Sequence, residues 1–200
     1  MVSLGGRRDV VPPTDLEGFL QYARDLSAPD LYELIKDCEL RSPLVRYKKP
    51  TSNWRHYDKM AAFPIGLAPL GDTITSVNPT FGQGMTLAVF HALALADTLA
   101  EQGVDDADFA AAYFRRAMVA SASAWQTAGF ADMEYPFVVG ERPSNFDEYR
   151  AFNKGLRMVA AEDPEIQRLL MQVYHMERPG DVLRDPGLTS RIAEKMASGS

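Results

Sequence analysis

The apolar run Ile65-Gly66-Leu67-Ala68-Pro69-Leu70 ends at Gly71-Asp72, and a Gly82-Gln83-Gly84 step then opens a long Ala/Leu-rich stretch reaching about Glu101. The run is too short for a helix and is bounded by turn residues, so it reads as a buried strand; the longer stretch reads as a helix. That order constrains the fold. It brings a carboxylate at a strand's end towards backbone N–H groups at a helix start, across the loop Thr73-Ile74-Thr75-Ser76-Val77-Asn78-Pro79-Thr80-Phe81.

The rest of the chain is mainly helical in pattern. Thr14-Asp15-Leu16-Glu17 has capping-box spacing, and Leu16, Phe19, Leu20, Ala23 and Leu26 recur at helical intervals, which predicts a helix from about Asp15 to Leu26. A second helix is expected after Ser27, with Pro29 and Asp30 in its first turn and Leu31, Leu34, Ile35 and Cys38 on one apolar stripe, so Cys38 reads as a small buried hydrophobe. Pro43 to Lys48 alternates weakly and reads as a strand, continued by Trp54 to Tyr57 after the Pro50-Thr51-Ser52-Asn53 turn, as part of an antiparallel sheet. Helices follow at about Asp105 to Thr127, at Asn145 to Ala161, after Asp163-Pro164 and after Pro186, with a Pro/Gly-punctuated loop from Tyr135 to Ser144.

The expected class is α+β, mostly helical in the second half. Residues 1–62 would hold the remainder of an antiparallel sheet and its helices, 63–103 the strand-loop-helix, 104–196 a helical region, and 197–200 a polar tail outside the fold.

Composition narrows the function classes. The net charge is −6 and the basic residues are scattered, so there is no electrostatic footprint for nucleic acid. The single cysteine excludes an internal disulfide, and His56, His91 and His175 are isolated, so no metal-ligand spacing exists. His91, on the apolar helix, reads as a core or partner-facing histidine, and His56 and His175 as surface residues. The N-terminus lacks the apolar core of a signal peptide, and no unbroken apolar stretch reaches the roughly 18 residues of a membrane span, so the cytoplasm is expected.

A helix N-terminus carries roughly half a positive charge and unpaired N–H groups, a setting for an anionic ring edge. Gly82 and Gly84 lack a Cβ and allow a flat group to approach the backbone, with the amides of Met85 and Thr86 in the first turn. Asp72 is placed to accept hydrogen bonds from a polyhydroxyl chain. Each piece alone is also ordinary turn and loop punctuation before a buried helix.

In combination, Gly71-Asp72, Asn78-Pro79 and Phe81-Gly82-Gln83-Gly84-Met85 resemble the second FAD-binding fingerprint of class A FAD-dependent monooxygenases. Phe63-Pro64 ahead of the run makes the segment most similar to the squalene-epoxidase-like and polyether-epoxidase-like branch. Pro12-Pro13-Thr14-Asp15, Arg55-His56-Tyr57, Trp125, Asp132, Tyr135-Pro136 and Gly140-Glu141-Arg142-Pro143 are similar to stretches of bacterial members. The resemblance implies that Asp72 binds the ribityl hydroxyls of FAD, that the backbone of Gly84, Met85 and Thr86 faces the flavin N1/O2 edge, and that Gly71, Gly82 and Gln83 belong to the same cofactor-binding set. Pro79 would lie by the reacting face. It also implies reduction of FAD by NAD(P)H, oxygen addition at flavin C4a, and transfer of one oxygen atom to an apolar alkene-bearing or aromatic substrate. Thr73 departs from the small alanine usual after Gly-Asp in the family.

Such enzymes begin with a strand, a G-x-G-x-x-G turn and a helix, and that fingerprint is missing from these 200 residues; Ser3-Leu4-Gly5-Gly6 lacks its spacing. The chain therefore looks like the C-terminal half of a monooxygenase, with a separate N-terminal Rossmann-type chain sharing the FAD and residues near Met1 forming a sheet edge against it. The alternatives are a non-catalytic remnant or interaction subunit, or a flavin reductase or halogenase of the same superfamily. No general acid or base and no metal ligand is assigned. Among Phe63, Phe81, Trp125, Phe130, Tyr135 and Phe137, the two put forward as substrate-pocket walls are Phe81 and Phe137.

Overall fold

A computed structural model describes residues 1–49 and 51–198, in which the chain forms two compact units, Met1–Pro50 and Thr51–Ser200. The first holds two short helices in otherwise irregular chain, the second is dominated by helices, and the sheet among the described residues is a single two-stranded ribbon. Pro50 of the expected turn and residues 199–200 of the tail lie outside the described residues.

In the first unit, α1 (Leu16–Arg24) starts on Asp15, whose carboxylate accepts the Gly18 N–H at 2.7 Å; Asp15, not Thr14, is the cap. Helix α2 (Asp30–Ile35) is shorter than the apolar spacing suggested. It ends before Cys38, which is exposed, and Leu34 is 73% exposed, so the expected buried stripe through Cys38 is not formed within this unit. No strand occurs among residues 1–49: Pro43–Lys48 is irregular, with Val45 and Tyr47 exposed, and residues near Met1 form no sheet edge.

The second unit is built on α3 (Gly84–Gln102) and α4 (Phe109–Met133), which pack together along their length. Leu87, His91, Ala94 and Thr98 of α3 share one face at helical spacing and are buried, as are Ala117, Ser121, Ala124 and Ala128 of α4. The small residues let the two backbones approach. Strand β1 (Asn53–Trp54) pairs antiparallel with β2 (Thr75–Ser76), Asn53 opposite Ser76. Residues 53–54, grouped with the N-terminal helices in the sequence reading, thus pair with the segment that follows Gly71-Asp72. Tyr57 begins a 3-10 turn (Tyr57–Lys59) rather than extending β1, and its ring joins Phe63, Tyr113 and Phe114 in an aromatic cluster.

Helices α5 (Phe146–Glu162), α6 (Pro164–Tyr174) and α7 (Pro186–Ser198) form a second cluster around Leu156, Val159, Leu170, Leu188 and Ile192. Asp163 caps α6 with Pro164 in its first turn, as the sequence pattern indicates. Among the described residues, no helix is long and apolar enough to cross a membrane.

Candidate functional site

The expected strand over Ile65–Leu70 is not present. Gly66 adopts a left-handed φ of 79°, Pro64 and Pro69 remove ladder donors, and Ile65 is 99% exposed. The strand lies instead inside the loop: Gly71–Thr73 forms a 3-10 turn, and Ile74 and Thr75, both buried and β-branched, lead through β2. Asp72 therefore sits on a turn ahead of a strand and not at a strand's end.

That turn is fastened from several sides. The Tyr113 hydroxyl donates to the Pro69 carbonyl at 2.6 Å, and burial pushes its phenol up to about 12, so it stays a neutral donor. The Arg55 guanidinium donates to the Asp72 carbonyl at 3.2 Å and the Tyr57 hydroxyl to that of Thr73, also at 3.2 Å. The Thr73 hydroxyl turns back to the Leu70 carbonyl at 2.5 Å.

The innermost fastening is His91, fully buried on α3. Its Nδ1 accepts the Gly71 N–H at 3.1 Å, which leaves the neutral ring's proton on Nε2, 3.0 Å from the Ser121 Oγ. Ser121 also accepts the Thr75 hydroxyl at 2.8 Å. One buried chain of polar groups thus ties the start of the turn, Gly71, and the strand after it, at Thr75, to α3 and α4. His91 is hence a core histidine with a positioning role that motif reading missed. Its signal was present: a polar residue sharing a helix face with Leu87, Ala94 and Thr98 must find partners in the core.

Burial holds the His91 imidazole below its ordinary 6.5, against a backbone hydrogen bond to Ala117 that acts the other way. The unfolded imidazole therefore takes up protons more readily than the folded one. Its contribution to stability is complete above pH 6.5 and is lost as pH falls towards the folded value. We expect the urea midpoint to be level at about pH 7–8 and to fall below about 6.5, with a shallower fall in His91→Gln. Identical pH profiles for the two proteins would contradict this.

On the outer side of the turn, the Ser76 hydroxyl donates to Asp72 Oδ2 at 3.0 Å. The other oxygen, Oδ1, lies 3.8 Å from where a Cβ on Gly84 would stand, so the carboxylate is beside the first turn of α3. The helix ladder begins with the Leu87 N–H bonding the Gln83 carbonyl, so the amides of Gly84, Met85 and Thr86 are the leading ones at its positive end. Asn78 caps the 3-10 turn Pro79–Phe81 by accepting the Thr80 N–H, and its Nδ2 donates to Asp132 at the end of α4. Gly82 follows with φ of 67°, and neither there nor at Gly84 would a Cβ meet an atom closer than 3.8 Å. The helix proper starts at Gly84, two residues later than the sequence suggested.

Gln83 is buried, with its Nε2 donating to the Tyr174 carbonyl at 3.0 Å, so it anchors the helix start to α6. Pro79, Gly82 and Met85 are exposed beside it. Phe81 packs on Val77, Leu87, Ala124 and Ala128 as part of the core, whereas Phe137 is 38% exposed and pairs with Tyr135 at 5.4 Å between ring centres. Two grooves elsewhere are lined by charged residues of α5 and α7, including Arg150, Lys154, Arg191 and Lys195, and contain no residue of the loop. Among the described residues no His, Cys, Asp or Glu cluster could hold a metal.

No protein-family model matches the chain. It is similar to Protein Rv3254 of Mycobacterium tuberculosis, 37% identical over 93 residues. The similarity takes in 46% of this chain and 20% of that protein, so the mycobacterial protein is more than twice as long.

Proposed function

We propose that the loop Gly71–Thr86 is half of a flavin site, and that the chain is the C-terminal subunit of a split FAD-dependent monooxygenase. A separate Rossmann-type chain would supply the pyrophosphate and adenosine side of the cofactor. The observation that carries this is the juxtaposition at the start of α3. Asp72, oriented by Ser76, stands beside the leading amides of a 19-residue helix, with vacant space at both glycines of Gly82-Gln83-Gly84.

The donor set suits the group. A carboxylate accepts from ribityl hydroxyls, backbone amides at a helix's positive end donate to the N1/O2 edge, and glycines admit the ring. When bound, FAD would supply electron transfer from NAD(P)H and activation of O2 for epoxidation or hydroxylation of an apolar substrate. The chain's residues bind and orient: Asp72 and the amides of Gly84, Met85 and Thr86 position the ring, and Pro79 borders its face. His91 and Ser121 keep the loop rigid.

The test is co-expression of this chain with the open reading frame beside its gene and a search for bound FAD in what co-purifies. A yellow complex with about one FAD per heteromer is expected. A colourless, stable, partnerless chain would instead favour a non-catalytic subunit of the same fold.

A further inference from the structure

Two grooves run beside the contact between α5 and α7, and they differ in how their charges are used. The contact is close because of Gly155, where a Cβ would stand 2.7 Å from the Ile192 Cγ2 and 2.9 Å from the Met196 Cγ. In one groove both cations have their own carboxylate: Arg191 donates to Asp163 at 2.8 Å and Lys195 to Glu162 at 2.6 Å. The other, of about 450 Å³, is different. Arg150, Lys154 and Arg157 line it from α5 at i, i+4 and i+7, and Asp147 and Ala151 fall within the same arc of about 120°. Arg157 has Glu134 at 3.8 Å, whereas Arg150 and Lys154 pair with no carboxylate among the described residues. Like charges one turn apart oppose helix formation, so the helix gains nothing from that pair. In a chain of net charge −6, two unpaired cations are thus held side by side in a concavity.

We propose that this groove binds a sugar phosphate, with Arg150 and Lys154 on the phosphate group, an inference independent of the flavin reading. An Arg beside a Lys supplies a planar fork of donors and a compact point charge, and hydrogen bonds from such groups to phosphate oxygens are the strong, charge-assisted kind. The other lining groups describe what the phosphate is attached to. Asp147, one turn before Arg150, accepts hydrogen bonds from hydroxyls such as a sugar offers, and Ala151 and the half-buried Met196 give the ring an apolar floor. Size agrees. The groove falls within the roughly 300–1,000 Å³ of small-molecule sites, and a bare phosphate would leave most of it to water. Three cations fall short of the roughly four to eight that hold a protein to an anionic membrane.

Isothermal titration of the full chain with ribose 5-phosphate tests this, with ribose and inorganic phosphate as controls. Wild type should bind ribose 5-phosphate with a Kd below about 1 mM, at least about tenfold tighter than either control. Arg150→Gln/Lys154→Gln should weaken binding at least about tenfold, with melting unchanged or slightly raised because two like charges are removed. Lys154→Gln alone should weaken it about threefold or more and carries the test if the double variant melts early. Arg191→Gln/Lys195→Gln, in the groove whose cations are already paired, should leave the affinity within about twofold. A wild type that binds nothing at about 10 mM overturns the site. Equal weakening in the two double variants also overturns it, by showing attraction to surface charge at large. Inorganic phosphate or ribose binding as tightly as ribose 5-phosphate overturns the assignment to a sugar phosphate.

Discussion

His91→Ala should lower the stability of the second unit by roughly 3–4 kcal/mol, because it removes a fully buried side chain and leaves two polar groups without their partner. The Gly71 N–H loses its acceptor in a place water does not reach, at about 1–3 kcal/mol, and the vacated volume adds a cavity cost. At about 2–4 °C per kcal/mol for a chain of this size, melting should drop by about 10 °C. Ser121→Ala should cost less, since Thr75 and His91 each lose one bond while the packing is retained. The double variant should fall short of the sum, because both substitutions break the same chain of hydrogen bonds. Strict additivity, read from urea midpoints, would show that the chain does not act as a unit.

Gly71→Val should be comparably damaging for a different reason. Gly71 has φ of 54°, a conformation costing an ordinary residue roughly 1–2 kcal/mol and a β-branched one more. Its Cβ would also stand 3.0 Å from the Ala88 Cβ on α3, so the turn must move off the helix, adding about 1–3 kcal/mol of overpacking. Gly82→Val is the control. Its φ of 67° carries the same conformational cost, but no atom lies within 4 Å of the added Cβ. A loss of about 3 kcal/mol at Gly71 against about half that at Gly82, measured by urea unfolding, is the expected pattern. Equal losses would remove the steric part of the explanation.

The contrast separates two kinds of glycine in one motif. Gly71 is required by the chain's own packing, whereas Gly82 and Gly84 border open space, and Gly84 shows no left-handed backbone. The sequence argument named Gly71 as part of the motif but rested the need for glycine on Gly82 and Gly84, because spacing cannot reveal which backbone will be pressed against a neighbouring helix.

The helices were legible where local signals agree. Asp163-Pro164 marked the start of α6, and 3.6-residue periodicity gave α3 to α5 within a few residues. The strands were not. The apolar composition of Ile65–Leu70 suggested burial, yet Gly66 and the flanking prolines prevent pairing, and Ile65 is exposed. The true strand, Thr75–Ser76, lay within what read as loop, since a two-residue strand has no period and its partner Asn53–Trp54 is distant in sequence. Cys38 failed similarly: its spacing from Leu34 fits a helix, but α2 ends at Ile35. Of the site, the carboxylate and the helix start were readable as a pair. Their fastening by His91, Ser121 and Tyr113 was not, because those bonds join residues 20 to 46 positions apart.

The most direct measurement is FAD per heteromer in a complex with the proposed GxGxxG-bearing chain, for wild type, Asp72→Ala and Gly84→Leu. Both substitutions are at positions where the chain's own packing tolerates change: Asp72 is exposed, and a Cβ at Gly84 meets nothing nearer than 3.8 Å. Thermal melting of the isolated chain should therefore shift little, by about 1 kcal/mol or less. FAD occupancy should fall from about one per heteromer to below about a tenth in both variants, which is a weakening of roughly 80-fold or more, about 2.6 kcal/mol of binding free energy. Full FAD occupancy in Asp72→Ala and Gly84→Leu, with the heteromer intact, would contradict the assignment of this loop to the flavin.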